Sequence, residues 1–395
     1  MARSPLSGIE EELAGLEQQA LLRRLRTVEP VGGSGVLELD GREVDGFSSN
    51  DYLGLSRHPA LREAAARAAA RYGCGSGASR LVCGSLPVHR ELEERLAEFK
   101  GTEAALTFSS GYAAAVGCIS AVVGSGDVVI LDKLAHASLI DGARLSGAHL
   151  RVFPHNHLEK LAAHLDWAAR RHPGARVLVV TESVFSMDGD RAPLADIVRL
   201  KEAAGALLLV DEAHATGVLG RGGRGLCELA GVSGSVDLQL GTLSKALGAA
   251  GGYVCARRLL VDLMVNRARS FVYSTAPPPP VAAAALAGLE LLAGEEGAAL
   301  LKRLNTHCLE MEQAGFGPVQ SAIVPVAMGE AARALSAAEQ LLRAGFFVPA
   351  IRYPTVPRGR ARLRVTLSAC HESSRVLALC RELKGLGPLP GDLGD

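Results

Sequence analysis

The sequence predicts an α/β protein with one large, mostly parallel sheet covered by helices and a smaller α+β unit after it. Short apolar runs alternate with helical stretches through most of the 395-residue chain, a proline run ends that block, and a shorter α+β pattern follows. Runs that are apolar on both faces are typical of strands buried between helices. The runs that predict such strands are residues 104–108, 128–131, 177–181, 207–210, 238–240 and 252–255.

The chain before these strands predicts an N-terminal segment, residues 1–50, with an exposed helix in the first 30 residues and a small hairpin at 36–39 and Val44. A glycine-rich break at 32–35 separates the two. The large α/β domain, residues 51–280, is predicted to continue with helices and one glycine-rich loop. The helices are expected at 59–72, 88–100, 112–123, 158–171 and 194–204, and the loop at 73–84.

Four consecutive prolines, Pro277 to Pro280, end the large domain, because such a run cannot continue a helix or a central strand. A small α+β domain, residues 281–395, is predicted to follow, with a short tail at its end. Its expected elements are a helix at 281–292, strands at 322–326, 347–349 and 362–366, a last helix at 374–383 and the tail at 388–395.

Composition excludes several classes of function. Lys+Arg and Asp+Glu both number 42, and only 4% of residues are aromatic, so neither nucleic acid nor an anionic membrane is an expected partner. No apolar run approaches the length of about 18–20 residues that spans a bilayer. The eight cysteines show no C-x-x-C spacing and no zinc-ligand pattern, and acidic residues precede any apolar stretch. We therefore expect a cytoplasmic enzyme or binding protein with reduced cysteines, no signal peptide and no metal.

Two polar clusters follow predicted strands, where open α/β sheets bind ligands. Asp211 ends one apolar run and His214 comes three residues later; Asp211 could equally cap a loop or stay ionised to pair with a cationic ring nitrogen. Lys245 follows another run among small residues, where a desolvated amine can form a Schiff base. A solvated loop lysine is the commoner interpretation of that segment alone. Thr242, just before it, offers a hydroxyl to a phosphate oxygen.

A third cluster, Ser109-Ser110-Gly111, leads from a strand into a helix whose free N–H groups suit a phosphate. A plain N-cap explains the serines equally well. Taken together, a phosphate-binding helix start, an aspartate for a ring nitrogen and a Schiff-base lysine are the parts that pyridoxal 5′-phosphate (PLP) requires. The clusters therefore predict a PLP site.

From about residue 23 to residue 371 the chain resembles the α-oxoamine synthases, a family of PLP-dependent enzymes. The resemblance implies the fold type I, aminotransferase-like architecture, with a seven-stranded sheet in the large domain. It also implies a homodimer whose active sites form across the subunit interface. The segments that carry it are FSSNDYLGL at 47–55, GSGASR at 75–80, residues 132–138, TESVFSMDGD at 181–190, DEAH at 211–214, GTLSKALG at 241–248 and IRYPTVP at 351–357.

The resemblance implies a role for each matching residue. Lys245 would form the Schiff base and move the substrate Cα proton, Asp211 would pair with the pyridine nitrogen, and His214 would hydrogen-bond the phenolic oxygen. His136 would stack on the ring and reach the substrate carboxylate. The remaining cofactor contacts would be Gly111, Tyr112, Ser186 and Thr242, with Thr275 reaching the phosphate of the partner subunit.

Substrate contacts are implied in the same way. Arg364, assisted by Asn50, would bind the amino-acid carboxylate through its guanidinium fork. Thr355 and Arg23 would meet the acyl substrate, with Arg24 or Arg26 as alternatives to Arg23. The implied reaction joins L-alanine to a pimeloyl thioester with loss of CO2, as in biotin synthesis. The acyl group could arrive on CoA or on acyl carrier protein.

Other functions remain as alternatives. A glycine C-acetyltransferase or a broad-specificity α-oxoamine synthase would share the same cofactor residues, although residues 47–52 and 110–113 resemble the biotin enzyme more. A non-catalytic subunit is disfavoured because the lysine and its partners are present. A dinucleotide loop at 73–78 is disfavoured because it follows a helix. His155 and His157 could form a metal pair, but a surface loop is the commoner interpretation, and Glu212, in place of a family Asp, is expected to matter little.

Overall fold

The computed structural model describes residues 6–19, 21–32 and 35–387; the predicted tail at 388–395 and part of the glycine-rich break lie outside them. The strands are β1 (Val28–Val31), β2 (Val36–Leu39), β3 (Arg42–Gly46), β4 (Ala104–Phe108), β5 (Val128–Asp132), β6 (His149–Phe153), β7 (Val177–Glu182), β8 (Leu207–Asp211), β9 (Leu238–Thr242), β10 (Gly252–Ala256), β11 (Ile323–Gly329), β12 (Phe346–Phe347), β13 (Ala350–Ile351) and β14 (Ala361–Thr366).

The helices lie before, between and after these strands. They are α1 (Ser7–Gln18), α2 (Pro59–Tyr72), α3 (Pro87–Lys100), α4 (Gly111–Val122), α5 (Ala137–Ser146), α6 (Leu158–Arg171), α7 (Leu194–Ala203), α8 (Leu226–Leu229), α9 (Arg258–Arg267), α10 (Arg269–Val272), α11 (Pro279–Ala293), α12 (Glu295–Gln313), α13 (Ala331–Arg343) and α14 (Ser373–Gly385).

The large sheet has seven strands in the order β4-β10-β9-β8-β7-β5-β6, which confirms the predicted architecture. All neighbouring pairs are parallel except those of β10, which runs antiparallel to both β4 and β9. The apolar runs identified six of the strands. They missed β6, because this edge strand has the mixed sequence HLRVF and is only partly buried, so it lacks the signal of a strand covered on both faces.

Helices bury both faces of this sheet. Alternate strand residues such as Leu106 and Val129 face a core shared with α4, α5 and α9. Their neighbours, such as Ala105 and Val128, face a second core shared with α2, α3, α6, α7 and α11. This alternation follows from the two-residue period of a strand. The sheet is thereby held rigidly, and its strand ends become fixed points for polar groups.

The parallel strands β7, β8 and β9 end in polar residues at the same edge of the sheet. Glu182 and Asp211 are register partners on β7 and β8, and Thr242 ends β9. Because paired residues of parallel strands project on the same face, the two carboxylates lie side by side. The edge therefore brings Asp211 and Thr242, which the sequence predicted for the site, next to Glu182, which it did not.

The two ends of the chain meet beside this edge. β3 of the N-terminal hairpin pairs in parallel with β12, which extends the sheet β1-β2-β3-β12. Farther along, the N–H of Thr366 donates to the carbonyl of Phe47 at 2.9 Å, and that of Ala369 to the carbonyl of Tyr52 at 2.8 Å. The β11-β14-β13 sheet lies in the C-terminal part. The division into 1–50, 51–280 and 281–395 stays a prediction.

Some local expectations were wrong. The first helix ends at Gln18, and residues from Val28 form β1 instead. The glycine-rich loop contains one π-helical turn, Arg80–Gly84. The strand expected at 347–349 is divided into β12 and β13, because Pro349 between them has no N–H for the ladder. Among the described residues, no helix is both long enough and apolar enough to cross a membrane.

Candidate active site

Lys245 lies just beyond β9, in the turn that follows Thr242. Its Nζ is 2.8 Å from Nε2 of His214. Burial lowers the pKa of the amine to about 8, against the opposing pull of the Asp211 and Glu182 carboxylates. At pH 8 about half of such an amine is neutral, compared with about 0.3% for an ordinary lysine. The site therefore supplies a nucleophilic amine near neutral pH.

A chain of hydrogen bonds runs from Lys245 away from the sheet edge. Nδ1 of His214 contacts the hydroxyl of Tyr52, and that hydroxyl donates to Oδ1 of Asn50 at 3.3 Å. Since the amide oxygen can only accept, the Tyr52 hydroxyl must in turn accept from Nδ1–H of His214. Nε2 of the neutral ring then has a lone pair that accepts from Lys245, so the chain fixes both the tautomer and the direction of the Lys245 contact.

The charge state of His214 agrees with this assignment. Burial lowers its pKa well below the ordinary value, and the cations of Lys245 and Arg364 lower it further. Tyr52 is fully buried, which raises the pKa of its phenol to about 12. Both groups are therefore uncharged at neutral pH, and they orient the lysine without adding charge next to it.

Two buried carboxylates face Lys245 from the ends of β7 and β8. Oδ1 of Asp211 accepts from the N–H of Ala213 at 2.9 Å. Burial raises the pKa of Asp211, while the nearby ammonium of Lys245 counteracts that rise. Burial and the Asp211 charge raise the pKa of Glu182 well above its ordinary value. Of the two, Asp211 is the better placed to remain ionised, because it has the stronger compensation from Lys245 and from its backbone donor.

His136 is the N-cap residue of α5 and contacts Glu182. Its backbone N–H donates to Oε1 of Glu182, and its Nδ1 accepts from the N–H of Ser138 at 3.2 Å. The neutral ring therefore has its proton on Nε2. Burial lowers the pKa of His136, and the opposing effects of Asp211 and Lys245 show that the ring lies within their electrostatic reach.

A phosphate-sized cradle lies at the start of α4. Ser110 caps this helix by accepting from the N–H of Ala113 at 3.0 Å, which leaves the first-turn N–H groups of Gly111 and Tyr112 without intrahelical acceptors. A Cβ on Gly111 would lie 3.5 Å from Cβ of Thr242, in the space that faces β9. Ser244 adds a second hydroxyl, 2.7 Å from that of Thr242. Helix-start N–H groups and two hydroxyls suit a phosphate dianion.

Arg364, the residue predicted to bind the amino-acid carboxylate, is held by several hydrogen bonds. Arg364 is buried in β14, and both of its terminal nitrogens are 3.2 Å from Oδ1 of Asn50. Its Nε donates to the carbonyl of Ser186 at 2.7 Å, and its Nη1 to the hydroxyl of Thr366 at 2.8 Å. These contacts hold the guanidinium plane in one orientation, as recognition of a planar carboxylate requires.

The residues predicted for the acyl end also come together. Nη2 of Arg23 is 3.3 Å from the hydroxyl of Thr355, and both residues are exposed. Arg24 instead pairs with Glu17 at 2.9 Å on the surface. The geometry therefore favours Arg23 over Arg24 as the residue that meets a substrate alongside Thr355.

Thr275, one of the predicted cofactor contacts, lies on the surface. It is exposed and forms a bridge with Ser79. The loop is tied down next to it, since Oγ of Ser76 donates to the carbonyl of Pro277 at 2.7 Å. Tyr112 is also half exposed, and its hydroxyl donates to Asp141 at 2.8 Å.

Sequence reasoning assigned no role to several residues that the structure places in the site. Tyr52 and Glu182 fall inside segments that resemble the family, and Ser244 and Thr366 adjoin predicted residues. Glu182 could have been found from its position, because it ends a buried parallel strand as Asp211 does. The contact between Tyr52 and His214 joins residues 162 positions apart, so no local pattern predicts it.

Comparison with known proteins identifies the family. The sequence matches Aminotransferase class I and II over residues 42–383. The chain belongs to this family. It is 51% identical over 390 residues to the 8-amino-7-oxononanoate synthase of Geobacter sulfurreducens, and the match covers 96% of this chain and 98% of that protein. Such a relative confirms the predicted resemblance to the α-oxoamine synthases.

Solved structures of the family agree with the fold and the cofactor. One is the high-resolution structure of serine palmitoyltransferase (SPT) with a PLP internal aldimine, which is 31% identical to this chain. The two structures align with a TM-score of 0.90 over 97% of this chain and 98% of that one. Another is the 8-amino-7-oxononanoate synthase of Francisella tularensis, 28% identical, with a TM-score of 0.71 and coverage of 86% and 96%. The chain is a fold type I enzyme of the aminotransferase family, and its cofactor is PLP.

Proposed function

We propose that this enzyme condenses L-alanine with a pimeloyl thioester to give 8-amino-7-oxononanoate, CO2 and the free thiol carrier. The observation that carries the proposal is the amine of Lys245, held 2.8 Å from His214 and facing the Asp211 carboxylate, beside the phosphate cradle. The relative from Geobacter sulfurreducens, named for this product, supports the choice of reaction.

When bound, PLP supplies an aldehyde for amines and an electron-withdrawing ring. Gly111, Tyr112 and Thr242 would hold its phosphate, and the ionised Asp211 would keep a proton on its ring nitrogen. His214 and Ser186 would lie next to its phenolic oxygen. Asp211 and Thr242 end buried strands, so the sheet holds both of them before the cofactor arrives.

The chain's own residues also account for substrate binding and proton transfer. Arg364, aligned by Asn50, would bind the alanine carboxylate, and Nε2–H of His136 would contact the same group. Lys245, with its lowered pKa, would take the proton from the alanine Cα and return a proton to the product. Arg23 and Thr355 would contact the acyl chain. The carboxylate that Arg364 held leaves as CO2, and the thiol carrier takes a proton.

Two features support a homodimer that completes the site. Thr275 is exposed on a tethered loop, as expected for a residue that reaches the phosphate in the partner subunit. Near it, Leu81, Val82 and Tyr273 are large apolar side chains exposed by 54%, 77% and 72%. Such a surface is typical of subunit contact. Mixing Lys245→Ala with Thr275→Ala subunits tests this arrangement, because the hybrid dimer has one site free of both substitutions.

The reaction is tested with purified protein, PLP and matched substrate pairs. Alanine with pimeloyl-CoA or pimeloyl-acyl carrier protein should release CO2 and give 8-amino-7-oxononanoate by mass spectrometry, whereas glycine with acetyl-CoA should give little product. Turnover with only the glycine pair would overturn the proposed substrate and favour the acetyltransferase alternative. Comparable turnover with both pairs would instead indicate a broad-specificity enzyme. Borohydride treatment should attach PLP to Lys245, and Lys245→Ala should abolish both attachment and turnover.

A further inference from the structure

His155 is not one of the predicted site residues, but it contacts two segments that lead to them. It follows β6, and its two ring nitrogens contact carboxylates on different segments. Nδ1 is 3.1 Å from Oδ1 of Asp132, and Nε2 is 2.8 Å from Oδ2 of Asp190. Only a protonated imidazole donates from both nitrogens, so the bridge requires a cation between two anions. The sequence alone indicated a surface loop or a metal pair here.

The first carboxylate, Asp132, controls the turn that leads to His136. Asp132 ends β5 and is fully buried. Its Oδ1 also accepts from the N–H of Leu134 at 2.8 Å, and its Oδ2 from the N–H of Asn156 at 2.9 Å. The orientation of this carboxylate therefore determines the conformation of the turn that leads to His136. The hydrogen bond from His155 holds the carboxylate in that orientation.

The second partner, Asp190, closes the turn that contains Ser186 through its backbone carbonyl. The carbonyl of Asp190 accepts from the N–H of Phe185 at 3.1 Å. The ring of Phe185 also packs edge-on against the His155 ring, with centroids 4.3 Å apart. Since the carbonyl of Ser186 holds Nε of Arg364, a shift of this turn would move the guanidinium as well.

We propose that His155 is a positioning residue, an imidazolium clamp between Asp132 and Asp190 that holds the His136 turn and the Ser186 turn at their correct separation. The two carboxylates raise the pKa of His155 to about 10, despite its partial burial, so the clamp keeps its charge throughout the neutral range. The proposal rests on the proposed function, because the turns matter through their predicted contacts with cofactor and alanine.

The test compares His155→Gln with His157→Gln. Glutamine can donate from its amide to one carboxylate but not bridge both, so the clamp is broken. His157 is a matched control from the same loop: it pairs with Glu159 at 2.8 Å, but its side chain is 43% exposed and its partner's 85%. Asp190→Asn removes the other end of the clamp and should reproduce the His155→Gln effects, with the double variant no worse than either single one.

For His155→Gln we expect the KM for alanine to rise about 10- to 100-fold, as displaced positioning groups do. The absorbance maximum of bound PLP, or the pH midpoint of that absorbance, should also change, and His157→Gln should alter neither quantity. A folded His155→Gln protein with the wild-type KM and cofactor spectrum would overturn the proposal, even if its melting temperature falls. The spectral readout needs no acyl substrate. If the proposed reaction is wrong, the wild type will bind PLP but make no product. That outcome is therefore distinguishable from failure of the His155 proposal.

Discussion

The buried pair of Lys100 and Glu212 gives a stability prediction that the structure makes quantitative. Lys100 ends α3, and its ammonium contacts the Glu212 carboxylate, with both side chains 0% exposed. The ammonium also donates to the hydroxyl of Thr216 at 3.3 Å and to the carbonyl of Arg224 at 2.6 Å. Glu212 lies between Asp211 and His214 in sequence, so the pair anchors the turn behind the site.

Lys100→Met keeps most of the side-chain volume but leaves the Glu212 carboxylate buried without a cation. Because neither side chain reaches solvent, screening does not reduce the penalty, and we expect unfolding free energy to fall by about 3–5 kcal/mol. The double variant Lys100→Met/Glu212→Gln removes the orphaned charge and retains an acceptor for the N–H of Cys227, 2.8 Å from Oε1. It should recover to within about 1–2 kcal/mol of the wild type.

Urea denaturation of the apoprotein, followed by circular dichroism, measures these differences. Arg90→Met is the control on the same helix, because its pair with Glu94 is exposed by 77% and 67%; it should change stability by less than about 0.5 kcal/mol. If Lys100→Met costs no more than the control, or if the double variant is as unstable as the single one, the argument from an uncompensated buried charge is refuted.

Three further predictions concern the site and its support. Tyr52→Phe leaves Nδ1–H of His214 buried without its acceptor, so apoprotein stability should fall by about 1–3 kcal/mol; an unchanged urea midpoint would contradict the assigned hydrogen-bond chain. The rate at which apoprotein takes up PLP into Lys245 should rise as pH increases through about 8, where the amine loses its proton; stopped-flow absorbance with a midpoint near 10 would contradict this. Gly248→Ala should destabilise the protein more than Gly231→Ala in thermal melts, because both have positive φ but only the first Cβ would meet backbone, at 2.5 Å.

The sequence predicted those parts of the fold that depend on local patterns. Strands buried on both faces stand out as apolar runs, whereas the edge strand β6 does not. The same holds within the candidate site: Asp211 and Lys245 were predicted because they follow such runs. Their partners in space, such as Tyr52 beside His214, depend on tertiary packing that no short window contains.

Contacts between residues distant in sequence also explain why the expectations for Glu212 and His155 differed from the structure. We expected Glu212, in place of a family Asp, to matter little, but its carboxylate is the counter-ion of Lys100, 112 positions away. Likewise, His155 looked like part of a plain loop, because Asp132 and Asp190, its two partners, are distant in sequence. The roles of these polar residues are therefore set by their partners in the folded chain, which their local sequence does not show.

The meeting of the two chain ends has a consequence for biosynthesis. Asn50 and Arg364, whose side chains contact each other, are 314 positions apart, and the N–H of Thr366 donates to the carbonyl of Phe47. On the ribosome, the seven strands of the large sheet and the start of α4 are therefore synthesised before Arg364. A chain released before β14 would retain the residues proposed to hold the cofactor but lack Arg364, the residue proposed to bind the amino acid. Catalytic competence is thus acquired only at the end of translation.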